Sequence, residues 1–205
     1  MTKALLLKKQ RAIWMMTPRV CSTAIKWAFA EFLGISLRDG NVHRTDLGYI
    51  PCNRIARYPD HWVFSIMRDP RDRLLSAFCD PNGHSKAGSH GVTDSTTWPE
   101  FVRLICATPS ETLDIHTRPQ LLLLSVDGKV RPDFIGRYET LAESWRVIAD
   151  RIGCSPILQH LHKTTHKPFR EHYAQDEWDM VTEKYLGDVE LGGYSVEREA
   201  NASRP

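Results

Sequence analysis

Apolar residues along the chain follow two periods, one typical of buried strands and the other of amphipathic helices. Continuous apolar runs at residues 12–16 (Ala-Ile-Trp-Met-Met) and 61–67 (His-Trp-Val-Phe-Ser-Ile-Met) predict two short buried strands. A helix is predicted directly after the first run, because apolar residues recur there at the spacing of one buried face: Ile25, Ala28, Phe29, Phe32 and Leu33. A third strand is predicted over 134–138, and the helix after it has a core face that ends at a glycine: Leu141, Trp145, Ile148, Ala149, Ile152 and then Gly153.

The remaining predicted elements indicate an α/β fold. A helix is predicted to begin at 97–102 and to end before Pro109, and residues 176–186 predict a final, exposed helix. Strands that alternate with helices favour a mostly parallel β-sheet flanked by helices, with right-handed connections. At 205 residues, 41% hydrophobic and 25% charged, the chain is long enough for one sizeable core. We therefore expect a single domain over 1–205, with a disordered polar tail at 196–205.

The segment between the first strand and the first helix has the features of an anion-binding loop. It reads Thr-Pro-Arg-Val-Cys-Ser-Thr-Ala-Ile-Lys at 17–26 and leads into a helix N-terminus, where backbone N–H groups and the helix dipole attract negative charge. Arg19 adds a full charge, and the hydroxyls of Ser22 and Thr23 can cap the helix or bind an anion oxygen. The first thirty residues hold six basic residues and no Asp or Glu: Lys3, Lys8, Lys9, Arg11, Arg19 and Lys26. An ordinary Ser/Thr cap is the alternative interpretation of this loop.

A second candidate phosphate ligand follows the second predicted strand. Asp69 as a helix cap, with Pro70 as the first helical residue, accounts for the turn after the strand. It does not account for Arg68 at the carboxyl end of a central strand, or for Ser76 about two turns into the next helix. Ligands of open α/β sheets bind at that end of the strands, and a guanidinium with a neighbouring hydroxyl suits a phosphate.

In chain order, these motifs resemble the sulfotransferases that use 3′-phosphoadenosine 5′-phosphosulfate (PAPS), in particular the bacterial and Golgi branch classed as carbohydrate sulfotransferases or sulfotransferase family 2. The family's first loop, Pro-Lys-x-x-Ser/Cys-Thr, is similar to Pro-Arg-Val-Cys-Ser-Thr at 18–23. Its Arg-Asp-Pro element with a following Arg-Leu-x-Ser is similar to residues 68–76. Three later segments resemble the family's His-x-x-Pro segment, its third strand and the loop that closes over the nucleotide: 116–120, 133–141 and 161–165.

The resemblance implies an enzyme with a P-loop-kinase-like core, PAPS as co-substrate, adenosine 3′,5′-bisphosphate as product, and no metal. We expect a bacterial-type soluble member, because the sequence shows neither a membrane-spanning run nor a secretory signal, in contrast to the membrane-anchored Golgi relatives. The implied nucleotide-binding residues are Arg19, Val20, Cys21, Ser22, Thr23, Ala24, Arg68, Ser76, Lys163, Thr164 and Thr165. The family's loop Lys, placed to stabilise the leaving phosphate, is Arg19 here, which keeps the charge but cannot lose a proton. The implied acceptor is a hydroxyl of a carbohydrate or glycoconjugate, with a small natural product as the alternative. His116 and Arg118 are candidate residues for binding it.

Sulfuryl transfer also needs a base that removes the acceptor proton, and an imidazole with a pKa near ~6.5 suits neutral pH. His43 lies between the two phosphate elements, about where several related sulfotransferases place their catalytic histidine. We therefore predict His43 and Arg19 as the catalytic residues. His116, in the His-x-x-Pro segment, is the competing candidate for the base.

Charge and composition disfavour several other classes of function. The net charge of +2 is too small to indicate a nucleic-acid-binding face. Gly83 and Gly88 have Walker spacing but are followed by Ser-His instead of Lys and Ser/Thr, which disfavours a nucleotide kinase.

Five scattered cysteines and nine histidines without ligand spacing favour neither a disulfide framework nor a metal site. Because the chain has neither a run of about 20 apolar residues nor a secretory signal, we expect a cytoplasmic protein without a transmembrane segment. The oligomeric state stays open.

Overall fold

A computed structural model of the protein describes residues 2–80, 91–158 and 168–198. The chain divides into two compact units, Met1–Arg68 with Gln120–Lys163 and Asp69–Pro119 with Thr164–Pro205. The single domain over 1–205 stays a prediction. Residues 199–205 of the predicted tail lie outside the described residues.

The first unit is built on a mixed sheet with a parallel centre. Its described strands are β1 (Lys3–Leu7), β2 (Ala12–Met15), β3 (Tyr49–Pro51), β4 (Trp62–Met67), β5 (Ser125–Val126), β6 (Lys129–Val130) and β7 (Phe134–Arg137). The strand order in the sheet is β3-β1-β2-β4-β7, and β5 pairs with β6 in a separate hairpin. The three strands predicted from sequence are the parallel ones, since β4 pairs in parallel with both β2 and β7. β1 pairs antiparallel with β2 and β3, which the sequence pattern did not predict.

Helices pack on this sheet as the apolar spacing predicts. The described helices of the unit are α1 (Ser22–Phe32), α4 (Gln120–Leu123) and α5 (Leu141–Ile152). Phe29 of α1 lies in the centre of the core, with its ring centroid 5.8 Å from that of Trp14 and 5.5 Å from that of Trp145. α5 ends at Gly153, whose φ of 81° is left-handed and suits a glycine. The result is an α/β unit in which β2 leads directly into the loop before α1.

The described residues of the second unit form helices around a second core. These helices are α2 (Pro70–Phe78), α3 (Trp98–Ala107), α6 (Gln175–Lys184) and α7 (Leu186–Gly192). The predicted cap of α2 is confirmed, because the Asp69 side chain accepts a hydrogen bond from the backbone N–H of Arg71. The expectation of an exposed final helix was wrong. Trp178 and Val181 of α6 are fully buried, and α7 follows α6.

Among residues 2–80, 91–158 and 168–198, no helix is long and apolar enough to cross a membrane. The expected cytoplasmic location stays a prediction.

Candidate active site

The loop between β2 and α1 has a sharply turned backbone held against β4. The Thr17 hydroxyl donates a hydrogen bond to the Ile66 carbonyl at 2.5 Å, which fixes the start of the loop. Arg19 and Cys21 both have left-handed backbone conformations, with φ of 68° and 60°. Such values are uncommon for residues with a side chain. Cys21 is the N-cap of α1, and in the described structure its side chain forms no capping hydrogen bond.

This geometry leaves the first turn of α1 available to an anion. The N–H groups at the start of an α-helix have no acceptor within the helix itself, and here they belong to Ser22, Thr23 and Ala24. The positive end of the helix dipole adds to their attraction for negative charge. The loop and the first turn therefore fit a phosphate or phosphosulfate group.

Arg68 lies at the same end of the sheet, directly after β4. Its side chain is buried, and its Nη1 donates a hydrogen bond to the Arg19 carbonyl at 3.1 Å. Its guanidinium carbon lies 4.3 Å from the ring centroid of Tyr138, a distance at which a cation is attracted to an aromatic face. The Gln120 side chain holds the Arg68 backbone, accepting from its N–H at 3.1 Å and donating to its carbonyl at 2.8 Å. The predicted juxtaposition of Arg19 and Arg68 is therefore present.

Cys21 contributes a neutral group to this arrangement. Burial raises the pKa of its thiol, and this effect outweighs the hydrogen bond from Tyr138 and the positive charge of Arg68, which act in the opposite direction. The protonated thiol is thus favoured at neutral pH. Cys21 adds no negative charge that would oppose an anion beside Arg68.

His43 lies beside the first two turns of α1. Its Nε2 is 3.1 Å from the Thr23 hydroxyl oxygen, and its Nδ1 is 3.4 Å from Lys26 Nζ. The backbone N–H of His43 donates to the Asn41 side chain at 2.8 Å, which fixes the turn that carries the imidazole. Burial and, secondly, the charge of Lys26 hold the pKa of His43 below its ordinary value of 6.5. The imidazole is therefore neutral at pH 7, the form that can accept a proton.

The second unit contains the remaining part of the Arg-Asp-Pro motif, and there the charged residues bind protein groups. The Arg71 guanidinium pairs with the Asp69 carboxylate through Nε and Nη2, each at 2.8 Å. Arg73 donates hydrogen bonds to the carbonyls of Ile115 and Arg118, at 2.8 and 2.9 Å. Ser76 is buried on α2, with 3% of its surface exposed.

His116 and Arg118 shape the segment in which they lie. His116 Nδ1 is 2.5 Å from Asp114 Oδ1, and the backbone N–H of His116 donates to the same oxygen at 2.9 Å. Arg118 donates from Nε and Nη2 to the Leu113 carbonyl, at 3.0 and 2.7 Å. The charged and aromatic groups of these two residues thus have local partners, and a substrate role for them stays a prediction.

Some predicted site residues cannot be placed. Lys163, Thr164 and Thr165 lie outside the described residues. Within 2–80, 91–158 and 168–198, no group of His, Cys, Asp and Glu could hold a metal ion. Conversely, sequence reasoning missed Gln120, Tyr138 and Lys26, three residues that contact predicted site residues. The Tyr138 position could have been suspected, because it follows a strand of the same parallel sheet.

The sequence of this chain is similar to the sequences of known sulfotransferases. A sequence model of the Sulfotransferase family matches residues 38–194, a range that includes Arg68, Ser76 and His43 but begins after the loop at 17–21. Carbohydrate sulfotransferase 14 of Mus musculus is 25% identical over 173 residues, and that of Homo sapiens is 24% identical over 173 residues. Each alignment covers 72% of this chain and 46% of the relative, so the chain spans about half the length of these curated relatives. No solved structure gave a significant match.

The family match extends over most of the 205 residues, and the predicted Arg-Asp-Pro element lies within it. The chain belongs to the sulfotransferase family.

Proposed function

We propose that the protein transfers the sulfuryl group of PAPS to an acceptor hydroxyl, and that the acceptor is a carbohydrate or glycoconjugate. The observation that carries the proposal is the contact between Arg68 and the Arg19 backbone at the N-terminus of α1. It holds the Arg68 guanidinium against the loop that carries Arg19, and this supports a nucleotide with phosphates on both sides of its ribose. The carbohydrate acceptor is supported by the names of the mouse and human relatives.

The loop is assigned the 5′-phosphosulfate and Arg68 the 3′-phosphate. The N–H groups from Val20 to Ala24 and the Arg19 guanidinium supply hydrogen bonds and positive charge to the leaving phosphate. Arg68 has a planar guanidinium that can donate two hydrogen bonds to one phosphate. The sequence-based assignments of Ser76 and of residues 163–165 to the same nucleotide stay predictions.

The reaction is an in-line displacement at sulfur. The bond from sulfur to the 5′-phosphate oxygen breaks, the acceptor oxygen bonds to sulfur, and the acceptor proton goes to His43. The Lys26 ammonium donates rather than accepts, so its contact with Nδ1 favours the tautomer with the lone pair on Nδ1 and the proton on Nε2. We therefore assign Nδ1 as the atom that accepts the proton. Alignment and charge stabilisation account for the rest of catalysis, as in phosphoryl transfer.

A thermal shift experiment tests the donor. Adenosine 3′,5′-bisphosphate at about 100 times its Kd should stabilise the protein by about 2.7 kcal/mol, which corresponds to roughly 5 to 10 °C in Tm for a chain of this size. ATP with magnesium should give a smaller shift. A shift with ATP and magnesium alone would instead favour a nucleotide kinase and contradict the proposal.

Variants then locate the binding site. Arg68→Ala should weaken bisphosphate affinity by the roughly 1.5 to 3 kcal/mol of a charged hydrogen bond, measured by calorimetry. Arg146→Ala is the matched control, because Arg146 is an exposed arginine in the middle of α5. Ser76→Ala measured in the same way tests the sequence-based assignment of that hydroxyl. Unchanged affinity in Arg68→Ala would overturn the assignment of the 3′-phosphate.

A further inference from the structure

The Gln120 side chain is fully buried in the first unit, with 0% of its surface exposed. Gln120 begins α4, and this short helix is anchored because Leu123 and Leu124 are buried and the Leu124 N–H donates to the Gln120 carbonyl at 2.9 Å. A buried amide is costly unless its oxygen and its nitrogen have hydrogen-bond partners. In Gln120, both atoms bind the backbone of one residue, Arg68.

The two hydrogen bonds hold the Arg68 backbone as a neighbouring strand would. Gln120 Oε1 accepts from the Arg68 N–H at 3.1 Å, and Nε2 donates to the Arg68 carbonyl at 2.8 Å. The parallel ladder between β4 and β7 ends one residue earlier, at the pair of Met67 and Arg137. Only one orientation of the amide places its acceptor at the N–H and its donor at the carbonyl. Gln120 therefore fixes the backbone of Arg68 directly beyond the end of this ladder.

The guanidinium of Arg68 is held as well as its backbone. It donates to the Arg19 carbonyl at 3.1 Å and lies 4.3 Å from the ring centroid of Tyr138. An arginine side chain has many rotamers, and their entropy is lost when the side chain binds a ligand in one conformation. Contacts that fix the residue at both ends reduce this loss before the ligand arrives. Because the Gln120 amide is neutral, it holds Arg68 without adding a negative charge that would oppose a phosphate.

We infer that Gln120 is a positioning residue for Arg68, and that it determines the selectivity for a nucleotide with a 3′-phosphate over one with a free 3′-hydroxyl. The inference rests on the proposed function, in which Arg68 binds the 3′-phosphate. Without the two hydrogen bonds from Gln120, the Arg68 backbone can rotate, and its guanidinium is no longer directed to one place. The 5′-phosphate is assigned to the loop before α1, so its binding does not depend on Gln120.

Two nucleotides measure this selectivity. Adenosine 3′,5′-bisphosphate and adenosine 5′-phosphate differ only at the 3′ position, so the ratio of their Kd values reports the 3′-phosphate. In calorimetry, the wild type should bind the bisphosphate at least about 10-fold more tightly, the scale of one charged hydrogen bond. Gln120→Met has a similar length but forms no hydrogen bonds to the backbone. It should lower the ratio by about 3- to 10-fold, the scale of one or two neutral hydrogen bonds, with the affinity for adenosine 5′-phosphate unchanged.

Ser144 provides a matched control at the end of the neighbouring strand. Its buried hydroxyl accepts from the Arg137 N–H at 2.8 Å and donates to the Arg137 carbonyl at 3.0 Å. Ser144→Ala thus removes the same kind of contact from an arginine that has no proposed phosphate. It should lower Tm and leave the ratio of Kd values unchanged. A fall in the ratio equal to that of Gln120→Met would indicate a general loosening of the sheet and would overturn the inference.

A double-mutant cycle tests whether Gln120 acts through Arg68. In the Arg68→Ala background, Gln120→Met should leave the ratio unchanged, because the guanidinium that Gln120 positions is gone. A fall of the same size in both backgrounds would contradict the inference. An unchanged ratio in the single variant Gln120→Met would contradict it as well.

A second substitution at the same position covers the case in which Gln120→Met does not fold. Gln120→Glu keeps the side-chain shape and the acceptor for the Arg68 N–H, but its carboxylate cannot donate to the Arg68 carbonyl. It should also lower the ratio, and a folded Gln120→Glu protein with the wild-type ratio would refute the role of Gln120. If Arg68→Ala lowers the ratio and the Gln120 variants do not, only this inference fails. If Arg68→Ala itself leaves the ratio unchanged, the assignment of the 3′-phosphate in the proposed function fails, and the inference fails with it.

Discussion

Substitution of Arg71 by methionine tests whether Arg71 stabilises the fold while Arg68, in the same Arg-Asp-Pro element, binds the nucleotide. Arg71 is 1% exposed, and its guanidinium makes two 2.8 Å hydrogen bonds to the Asp69 carboxylate. The same guanidinium lies 4.0 Å from the ring of Trp178. Arg71→Met removes the positive charge and leaves the Asp69 carboxylate, which is 5% exposed, without its guanidinium partner.

The expected cost follows from this burial. Breaking a buried ion pair by removing one partner typically costs about 3 to 5 kcal/mol, because a charge stays in a poorly solvated site. We expect a loss of this size in the free energy of unfolding, equivalent to roughly 6 to 20 °C in Tm. Methionine fills much of the space over Trp178, so packing loss adds little. The loss is a large part of the about 5 to 15 kcal/mol that stabilises a typical protein.

A double-mutant cycle in urea isolates the charge. Asp69→Asn keeps an oxygen that can accept the Arg71 backbone N–H and cap α2 but removes the carboxylate charge. In the Asp69→Asn background, Arg71→Met should cost about 1.5 to 3 kcal/mol less than in the wild type. Equal costs in both backgrounds would refute the buried charge as the cause. The folded Arg71→Met protein should keep its bisphosphate affinity, and a stable variant that had lost this affinity would refute the division of roles.

The remaining predictions concern catalysis. Arg19→Ala should lower kcat more than it raises the apparent KM for PAPS, because an interaction that strengthens in the transition state appears in kcat; steady-state kinetics test this, and a normal kcat would contradict the role. His43→Ala should lose on the order of 10²- to 10⁴-fold in kcat with bisphosphate affinity unchanged, whereas His116→Ala should stay near wild type; the opposite pattern would exchange their roles. Lys26→Met should move the acidic limb of the kcat profile to higher pH. The charge of Lys26 helps to hold the pKa of His43 below 6.5, so without it the pKa rises and more base is protonated at a given acidic pH; an unmoved limb would exclude His43 as the titrating base.

The parts of the fold that the sequence predicts are those with a strong local signal. The apolar face of α1 and the Asp69-Pro70 start of α2 need no knowledge of distant residues, and both are confirmed. β3 was missed because it is three half-buried residues long, too short to show a period. α6 was predicted as exposed because its charged residues mask a buried face formed by Trp178 and Val181.

Some contacts of the candidate site could likewise be predicted from the sequence, and others could not. Arg19 and Arg68 could be predicted to meet, because their strands are parallel neighbours in an open sheet. The contact of His43 with Thr23 and Lys26 depends on the path of a loop, which no periodic pattern reports. The partners of Arg73 and Arg118 are backbone carbonyls, which every residue type carries. Sequence reasoning could therefore not foresee these contacts of Arg73 and Arg118.

The left-handed backbone at Arg19 and Cys21 affects the free-energy cost of ordering the loop. Each residue with a side chain costs on the order of 1 to 3 kcal/mol in this conformation, but it also has fewer conformations than glycine in the unfolded chain. Contacts with the surrounding fold offset the strain, and the conformational entropy of these residues is lost when the protein folds. Under the proposed function, the nucleotide therefore binds a loop that folding has already shaped, and its affinity is not reduced by the conformational entropy that a glycine-rich loop would lose on binding.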